Sequence, residues 1–335
     1  MTDIAVLGAG GWGIAIAKLL SENGHRVRLW EYDPKELQRI SAVREHTQKL
    51  PGVIIPDEVE ITDDLNKAIS GSELLALALP SHTVRGVAKR LSSLELDNSL
   101  VVNLAKGIEN DTLLRMSEVL RQELPSHLHE NITTLSGPSH AEEVARKHPT
   151  TVVVAGFKEE IAKRVQETFM NPYFRVYTNS DLVGVELGGS LKNVIAIASG
   201  ICDGMGLGDN SKGALLSRGL AEIIRLGGKL GAKGETFAGL SGLGDLVTTC
   251  ISRYSRNRFV GEEIGRGRTL KEVESKMVMV AEGIKTTRSA YQLSLKHQIE
   301  MPITQQVHWV LFGDKKPGAA INELMTRDPK SEIWS

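Results

Sequence analysis

The chain is short of cysteine, of surplus charge and of long apolar runs, and each shortage excludes something. Its two cysteines, Cys202 and Cys250, are too few and too far apart in sequence for a disulfide framework or a zinc site, which fits a reducing compartment. Lys and Arg number 40 against 41 Asp and Glu, so no global field recruits nucleic acid or a membrane surface. Any anionic ligand must be held by local charge. No stretch approaches the ~20 apolar residues that a membrane span needs. The opening MTDIAVLGAGG enters a strand almost at once, leaving no room for a basic leader and its apolar core. Repeats, low-complexity tracts and charge blocks are absent as well. A soluble, unprocessed, cytoplasmic protein is expected, and 335 residues with 41% hydrophobic and 24% charged composition suffice for two ordinary domains.

Residues 4–34 read as a short apolar run, a glycine turn, a helical pattern, an Asn23-Gly24 stop and a second apolar run. That is a βαβ unit. Its turn, Gly8-Ala9-Gly10-Gly11-Trp12-Gly13, is a G-x-G-x-x-G placed between strand and helix. Gly8 suits the tight turn, Gly10 the approach of a pyrophosphate, and Gly13 close helix–strand packing. The helix N-terminus behind them offers free N–H groups to the anion. Glu31 and Asp33 follow Gly13 by 18 and 20 residues, where a ribose-binding carboxylate is expected. Either carboxylate would favour NAD over NADP, although Arg28 and Arg39 lie near enough in sequence to blur the preference. Tyr32 between them could stack on an adenine or stand as an ordinary strand-end tyrosine.

Apolar runs at 73–80 and 99–105 predict strands buried on both faces, with a crossover helix between them. Lys106 follows the second run directly, at the end of a parallel strand where ligands of such sheets bind. Residues 131–145 predict a strand, a Ser136-Gly137-Pro138 turn and a helix, with Ser139 and Glu142 spaced as a capping box. Runs at 150–156 and 174–179 predict two more strands. His82 and His140 fall in loops after strands, where either could touch a ligand, without a nucleophile or metal-ligand spacing to pair them.

From about residue 181 the apolar pattern takes a helical period, so the chain is expected to divide into a doubly wound α/β domain over 1–185 and an all-helical domain over 186–335. Residues 182–245 hold 16 of the 33 glycines, a density that predicts helices approaching one another, or a ligand, very closely. Lys192 stands in the middle of the apolar GVELGGSLKNVIAIASG, with Gly188, Gly189 and Ala196 on its own helix face. A buried ammonium requires a partner or loses its proton. Asp245, delivered by the glycine-rich GLSGLGD, is the candidate partner, or else a helix N-cap. Asn193 beside Lys192 could bind the same ligand. Ser255 is a good N-cap, and with Arg256 and Asn257 in the first turn behind it the helix start resembles a phosphate or carboxylate site.

Taken together, GAGGWG, AKGIE, SGPSHAEE, VELGGSLKNVIAIASGI, GLGDLVTTC, SRNRFVG and VAEGIKTT make the chain resemble the NAD(P)-dependent glycerol-3-phosphate dehydrogenase family over nearly its whole length. The resemblance implies an N-terminal Rossmann domain, a helical C-terminal domain, NAD or NADP as cofactor, and a homodimer. It implies Lys192 as the acid/base, Lys106 as a substrate contact that polarises the carbonyl and borders the cofactor, and Asp245 as the group orienting Lys192. It places Gly137 and Ser139 in the substrate pocket and Ser255, Arg256 and Asn257 on the phosphate. It assigns cofactor contacts to Gly11, Trp12, Tyr32, Ala141, Arg256, Val280 and Glu282, beside the fingerprint's Gly8, Gly10 and Gly13. Supply of glycerol phosphate for lipid synthesis follows from the same resemblance. Two rival readings are a hydroxy-acid reductase of the same architecture and a dinucleotide sensor without turnover.

Overall fold

The computed structural model describes residues 1–96 and 98–332. Eight strands form one sheet: β1 (Asp3–Leu7), β2 (Arg26–Trp30), β3 (Glu60–Thr62), β4 (Leu74–Leu77), β5 (Leu100–Asn103), β6 (Ile132–Ser136), β7 (Thr150–Gly156) and β8 (Phe174–Asn179). Their order is β3-β2-β1-β4-β5-β6-β7-β8. The first six run parallel, β7 turns antiparallel against β6, and β8 runs parallel to β7. The chain reverses its direction of travel across the sheet at β1, which pairs with β2 on one side (Ile4 opposite Val27) and β4 on the other (Ile4 opposite Leu74). Such a switch point leaves a crevice at the carboxyl ends of the strands. Alternation explains the two-faced burial: Ile4 and Val6 join one apolar cluster, Ala5 and Leu7 the other.

At the end of β1, Gly8 takes φ +108°, and a Cβ there would stand 2.7 Å from the Ala78 carbonyl oxygen. A Cβ at Gly13 would stand 1.8 Å from the Gly8 carbonyl oxygen. The helix Gly11–Glu22 is thereby seated directly on the turn. The expected capping box at Ser139 is not formed. The short helix Ala141–Val144 begins after His140, no side chain caps it, and the Ser139 hydroxyl donates to the Gly137 carbonyl instead. Gly137, at φ +131°, turns its carbonyl to accept from Ser139, and because the helix starts one residue later, with His140 at the cap position, Ser139 is not placed to cap it.

After β8 the described residues are helical, arranged around the 23-residue helix Leu182–Gly204, here called the central helix. The Asp181 carboxylate caps it, accepting from Gly184 N at 2.9 Å, and also accepts from Lys233 N and Thr236 Oγ1. This helix corrects one expectation. It is long and apolar enough to cross a membrane by composition, yet 94% of its most apolar stretch is buried inside the protein, so it is the core of the helical half. The expected close approach does occur: a Cβ at Gly200 would lie 1.9 Å from the Arg258 carbonyl oxygen, and one at Gly261 would lie 1.9 Å from that of Ile197. Backbone therefore packs on backbone where the central helix crosses the helix Arg256–Gly265.

Candidate active site

A cavity of about 820 Å³ opens at the switch point, between the sheet and the helical half. Its outer end is lined by Gly8, Gly10, Gly11 and Trp12 of the fingerprint turn and by Glu31 and Tyr32 beyond β2. Gly13 packs behind the turn and Gly137 behind the inner end, so neither lines the cavity wall.

The outer end fits a dinucleotide. The Gly11–Glu22 helix starts at the cavity with no side-chain cap on its N-terminus, leaving its first N–H groups free for a pyrophosphate. A Cβ at Gly10 would meet no protein atom within 4 Å, so the backbone there is open to close approach from the cavity. Of the two candidate ribose carboxylates, Asp33 is consumed as N-cap of the helix Pro34–Val43, accepting from Lys35 N. Glu31 lines the cavity instead. Neither suspected arginine reaches it: Arg28 donates to the Lys67 carbonyl and Ser72, and Arg39 pairs with Glu36. Tyr32 is 73% exposed at the mouth.

At the inner end two lysines share one carboxylate. Lys192, 6% exposed on the central helix, places Nζ 2.9 Å from Asp245 Oδ1, and Lys106, after β5, places Nζ 2.6 Å from Oδ2. Thr249, one helical turn beyond Asp245, accepts a further hydrogen bond from Lys192 at 2.5 Å. Lys106 also donates to the Gly137 carbonyl at 2.9 Å. Asp245 begins the helix Asp245–Ile251, with Gly244 at the cap position, so it acts as the lysine partner and its side chain caps nothing. Burial brings the Lys192 ammonium down to about 8, Lys106 pushing the same way and Asp245 opposing. Burial alone would raise the Asp245 carboxyl, but Lys106 and Lys192 hold it below the usual carboxylate range. The bare face beside Lys192 is where the sheet and the turn Leu240–Gly244 press in: a Cβ at Gly188 would lie 2.6 Å from the Ser241 carbonyl oxygen, and one at Gly189 would lie 2.4 Å from Ser136 Oγ.

Around this centre a polar wall is built from the helical half. Ser255 caps the helix Arg256–Gly265 as expected, accepting from Arg258 N. Asn193 accepts from Asn257 Nδ2, and Asn257 in turn accepts from Gly283 N, both at 2.8 Å. Arg256 lines the cavity and donates to the Val280 carbonyl. The other arginines of 251–268 are engaged elsewhere: Arg258 with Asp203, Arg266 and Arg268 with Glu263, and Arg253 over the Tyr254 ring. Ser139, Ala141, Val280 and Glu282 complete the lining.

Two residues of the site, Thr249 in the lining and Ser81 outside it, were not singled out in the sequence, whereas His140 was expected as a loop histidine that could touch a ligand. Thr249 could have been found from its i+4 spacing to Asp245. Ser81 could not: its N–H and hydroxyl both donate to Glu282, 201 positions away. His140 sits near the lysines with Nε2 buried and without a partner, and burial with Lys192 and Lys106 brings its imidazole down to about 4, so it is neutral.

Models of the N- and C-terminal parts of NAD-dependent glycerol-3-phosphate dehydrogenase match residues 3–162 and 181–322. A glycerol-3-phosphate dehydrogenase [NAD(P)+] of Fusobacterium nucleatum is 47% identical over 335 residues, covering all of both chains. One of Chlorobium luteolum is 51% identical over 329 residues, covering 98% of this chain and 99% of its own. The crystal structure of glycerol-3-phosphate dehydrogenase from Coxiella burnetii superposes with a TM-score of 0.92 at 38% identity, over 97% of this chain and 99% of that one.

Proposed function

The chain belongs to the NAD-dependent glycerol-3-phosphate dehydrogenase family, and from that membership we propose how its own residues carry the reaction. It is an oxidoreductase that interconverts dihydroxyacetone phosphate and sn-glycerol 3-phosphate with NAD(P)H. The observation that carries the assignment of roles is the pair of lysines on Asp245, at the inner end of a cavity whose outer end is a dinucleotide cradle.

When bound, a dihydronicotinamide supplies the hydride. Lys192 gives its proton to the ketone oxygen as the alcohol forms, and takes it back in the reverse reaction. A general acid works best with its pKa near the working pH, and burial beside Lys106 brings Lys192 there. Lys106 points its remaining N–H at the same oxygen and polarises the carbonyl, while also bordering the cofactor. Asp245 and Thr249 take hydrogen bonds from the Lys192 ammonium, so its free N–H faces the cavity. The substrate phosphate lies against Ser255, Arg256 and Asn257, with Asn193 bracing Asn257 and Ser139 lining the opposite wall. Gly137 contributes through its carbonyl, which anchors both Lys106 and Ser139. Gly8, Gly10, Gly11 and Trp12 seat the dinucleotide, Gly13 holds their turn in shape, and Tyr32, Ala141, Val280 and Glu282 border it.

A division near residue 185 is supported by β8 ending at Asn179 and the central helix starting at Leu182; residues 333–335 of the helical part lie outside the described residues. A homodimer, a cytoplasmic location and supply of glycerol phosphate for phospholipid synthesis complete the proposal. It is tested by mixing the protein with dihydroxyacetone phosphate and following oxidation of NADH and NADPH in parallel. Rapid loss of either dinucleotide is expected. No loss with either, despite measurable dinucleotide binding, would return the assignment to a hydroxy-acid reductase or a sensor.

A further inference from the structure

A run of hydrogen-bonded polar side chains connects the two segments that carry the lysines, and none of its members lines the cavity. It starts at Glu186 on the central helix, six residues before Lys192, and ends at Asn103, three residues before Lys106. Thr134 stands between them. All three side chains are buried. An apolar residue would suit each of these core positions better unless the polar groups have work to do.

Both ends of the run are tied. Glu186 accepts from Ser117 N at 2.8 Å and Thr134 Oγ1 at 3.3 Å on one oxygen, and from Arg115 Nη1 at 2.6 Å and Ser117 Oγ at 2.5 Å on the other. Thr134 of β6 lies in register with Asn103 of β5. Its hydroxyl has one hydrogen, given to Glu186, and takes the Asn103 Nδ2–H on a lone pair, also at 3.3 Å. The rest of the Asn103 amide holds Ala105: Nδ2 donates to its carbonyl and Oδ1 accepts from its N–H, both at 3.1 Å. The backbone is thereby fixed at the residue before Lys106. The Lys106 stem then lies against the central helix, its Cδ 3.7 Å from where a Cβ at Gly189 would stand. From there the ammonium reaches Asp245 Oδ2 and the Gly137 carbonyl.

We propose that Asn103 and Thr134 are positioning residues of this active site, holding the Lys106 backbone in register with the helix of Lys192 through a relay anchored on Glu186. A fully satisfied buried network has one arrangement, so the two ammonium groups keep one separation. That separation matters twice. It sets where Lys106 polarises the ketone, and it sets how strongly the Lys106 charge keeps the Lys192 ammonium low. The relay rests on the roles given above to both lysines and adds the residues that fix their spacing.

The test is the pH profile of ketone reduction by the full chain, with the dissociation constant of NADH measured alongside. Thr134→Val keeps the shape and removes the hydroxyl, whereas Thr134→Ser keeps the hydroxyl. In Thr134→Val, kcat should fall about 10- to 100-fold, as a misplacement of about 1 Å would cause. Its alkaline limb should move up by about half a pH unit, because a loosened loop lets the two like charges draw apart. Affinity for NADH should stay within about threefold. Thr134→Ser should return both kcat and the limb toward the parent, and Asn103→Leu, made separately, should behave as Thr134→Val. A limb that stays in place in Thr134→Val, or a Thr134→Ser as impaired as Thr134→Val, would overturn the relay, since core packing alone would then account for the loss. A parent protein without a limb near about 8 would overturn the reading of Lys192 beneath it, and the relay with it.

Discussion

Lys106 and Lys192 come from different halves of the molecule and meet on the two oxygens of a single carboxylate, Asp245, at 2.6 and 2.9 Å. Two ammonium groups around one carboxylate leave a net positive charge at the inner end of the cavity, where alkoxide character would develop during ketone reduction. The arrangement also keeps either lysine from being buried unpaired, which would cost several kcal/mol.

Removing the proton donor should stop turnover without emptying the dinucleotide cradle. Lys192→Ala is expected to lower kcat by about 10²- to 10⁴-fold. Dissociation constants for NADH and NADPH, read by fluorescence titration, should stay within about threefold, because the fingerprint turn lies at the other end of the cavity. A variant that keeps most of its kcat would move the acid to another group.

Lys192 must carry its proton for reduction and must lack it for oxidation. With its ammonium brought down to about 8, kcat/KM for the ketone should fall as pH rises through about 8, and the oxidation of glycerol 3-phosphate should rise over the same interval. The Asp245 carboxylate opposes the lowering, whereas Lys106 reinforces it. In Asp245→Asn the reduction limb should therefore move to lower pH, along with a reduced kcat. Parallel pH profiles of the two proteins measure the displacement, and coincident limbs would exclude Lys192 as the titrating group.

Arg256 is the guanidinium of its helix start that reaches the cavity. Arg256→Ala should raise KM for dihydroxyacetone phosphate by about 10- to 100-fold, the worth of a charge-assisted hydrogen bond to phosphate. The dinucleotide contact that the family resemblance implies for Arg256 would add a smaller rise in KM for NADH. Steady-state kinetics with each substrate varied in turn separates the two, and an unchanged KM for the ketone would place the phosphate elsewhere.

The glycine crossing is a stability device with a functional consequence. A Cβ at Gly200 or Gly261 would drive into a facing backbone carbonyl, so Gly200→Ala should cost about 2–3 kcal/mol in denaturant unfolding. The helix that must shift carries Ser255, Arg256 and Asn257 at its start. Residual folded protein should therefore show a higher KM for the phosphorylated ketone. Unfolding midpoints identical to the parent would mean that the crossing is looser than described.

Glu222 is a buried carboxylate outside the cavity. It accepts from Ile303 N, Thr304 N and the Thr304 hydroxyl, capping the helix Pro302–Phe312 from a neighbouring helix. Glu222→Ala leaves two amides at a buried helix start without partners, so a loss of about 2 kcal/mol is expected by chemical denaturation, with kcat unchanged in the folded fraction.

Local pattern was enough for much of this. The βαβ unit, the fingerprint turn and the β7 and β8 spans are visible because strand and helix periodicities, glycine turns and N-caps act over a few residues. Ser255 as N-cap is legible for the same reason. Where local options compete, the pattern misleads or stays open: the Ser139–Glu142 spacing predicts a capping box that does not form, and Glu31 and Asp33 were equivalent ribose candidates. The buried central helix shows the limit in another form, since its composition cannot tell a protein core from a bilayer.

The sequence by itself determined that a dinucleotide turn opens the chain and that an apolar helix carries a lysine requiring a partner. Only the tertiary structure decided that the partner is Asp245 shared with Lys106, that Asp33 is consumed as a cap while Glu31 faces the cavity, and that Ser81 closes on Glu282. The reason is physical. Caps and turns are settled by neighbours a few bonds away, whereas a buried charge is settled by whichever group another part of the chain brings within hydrogen-bond reach.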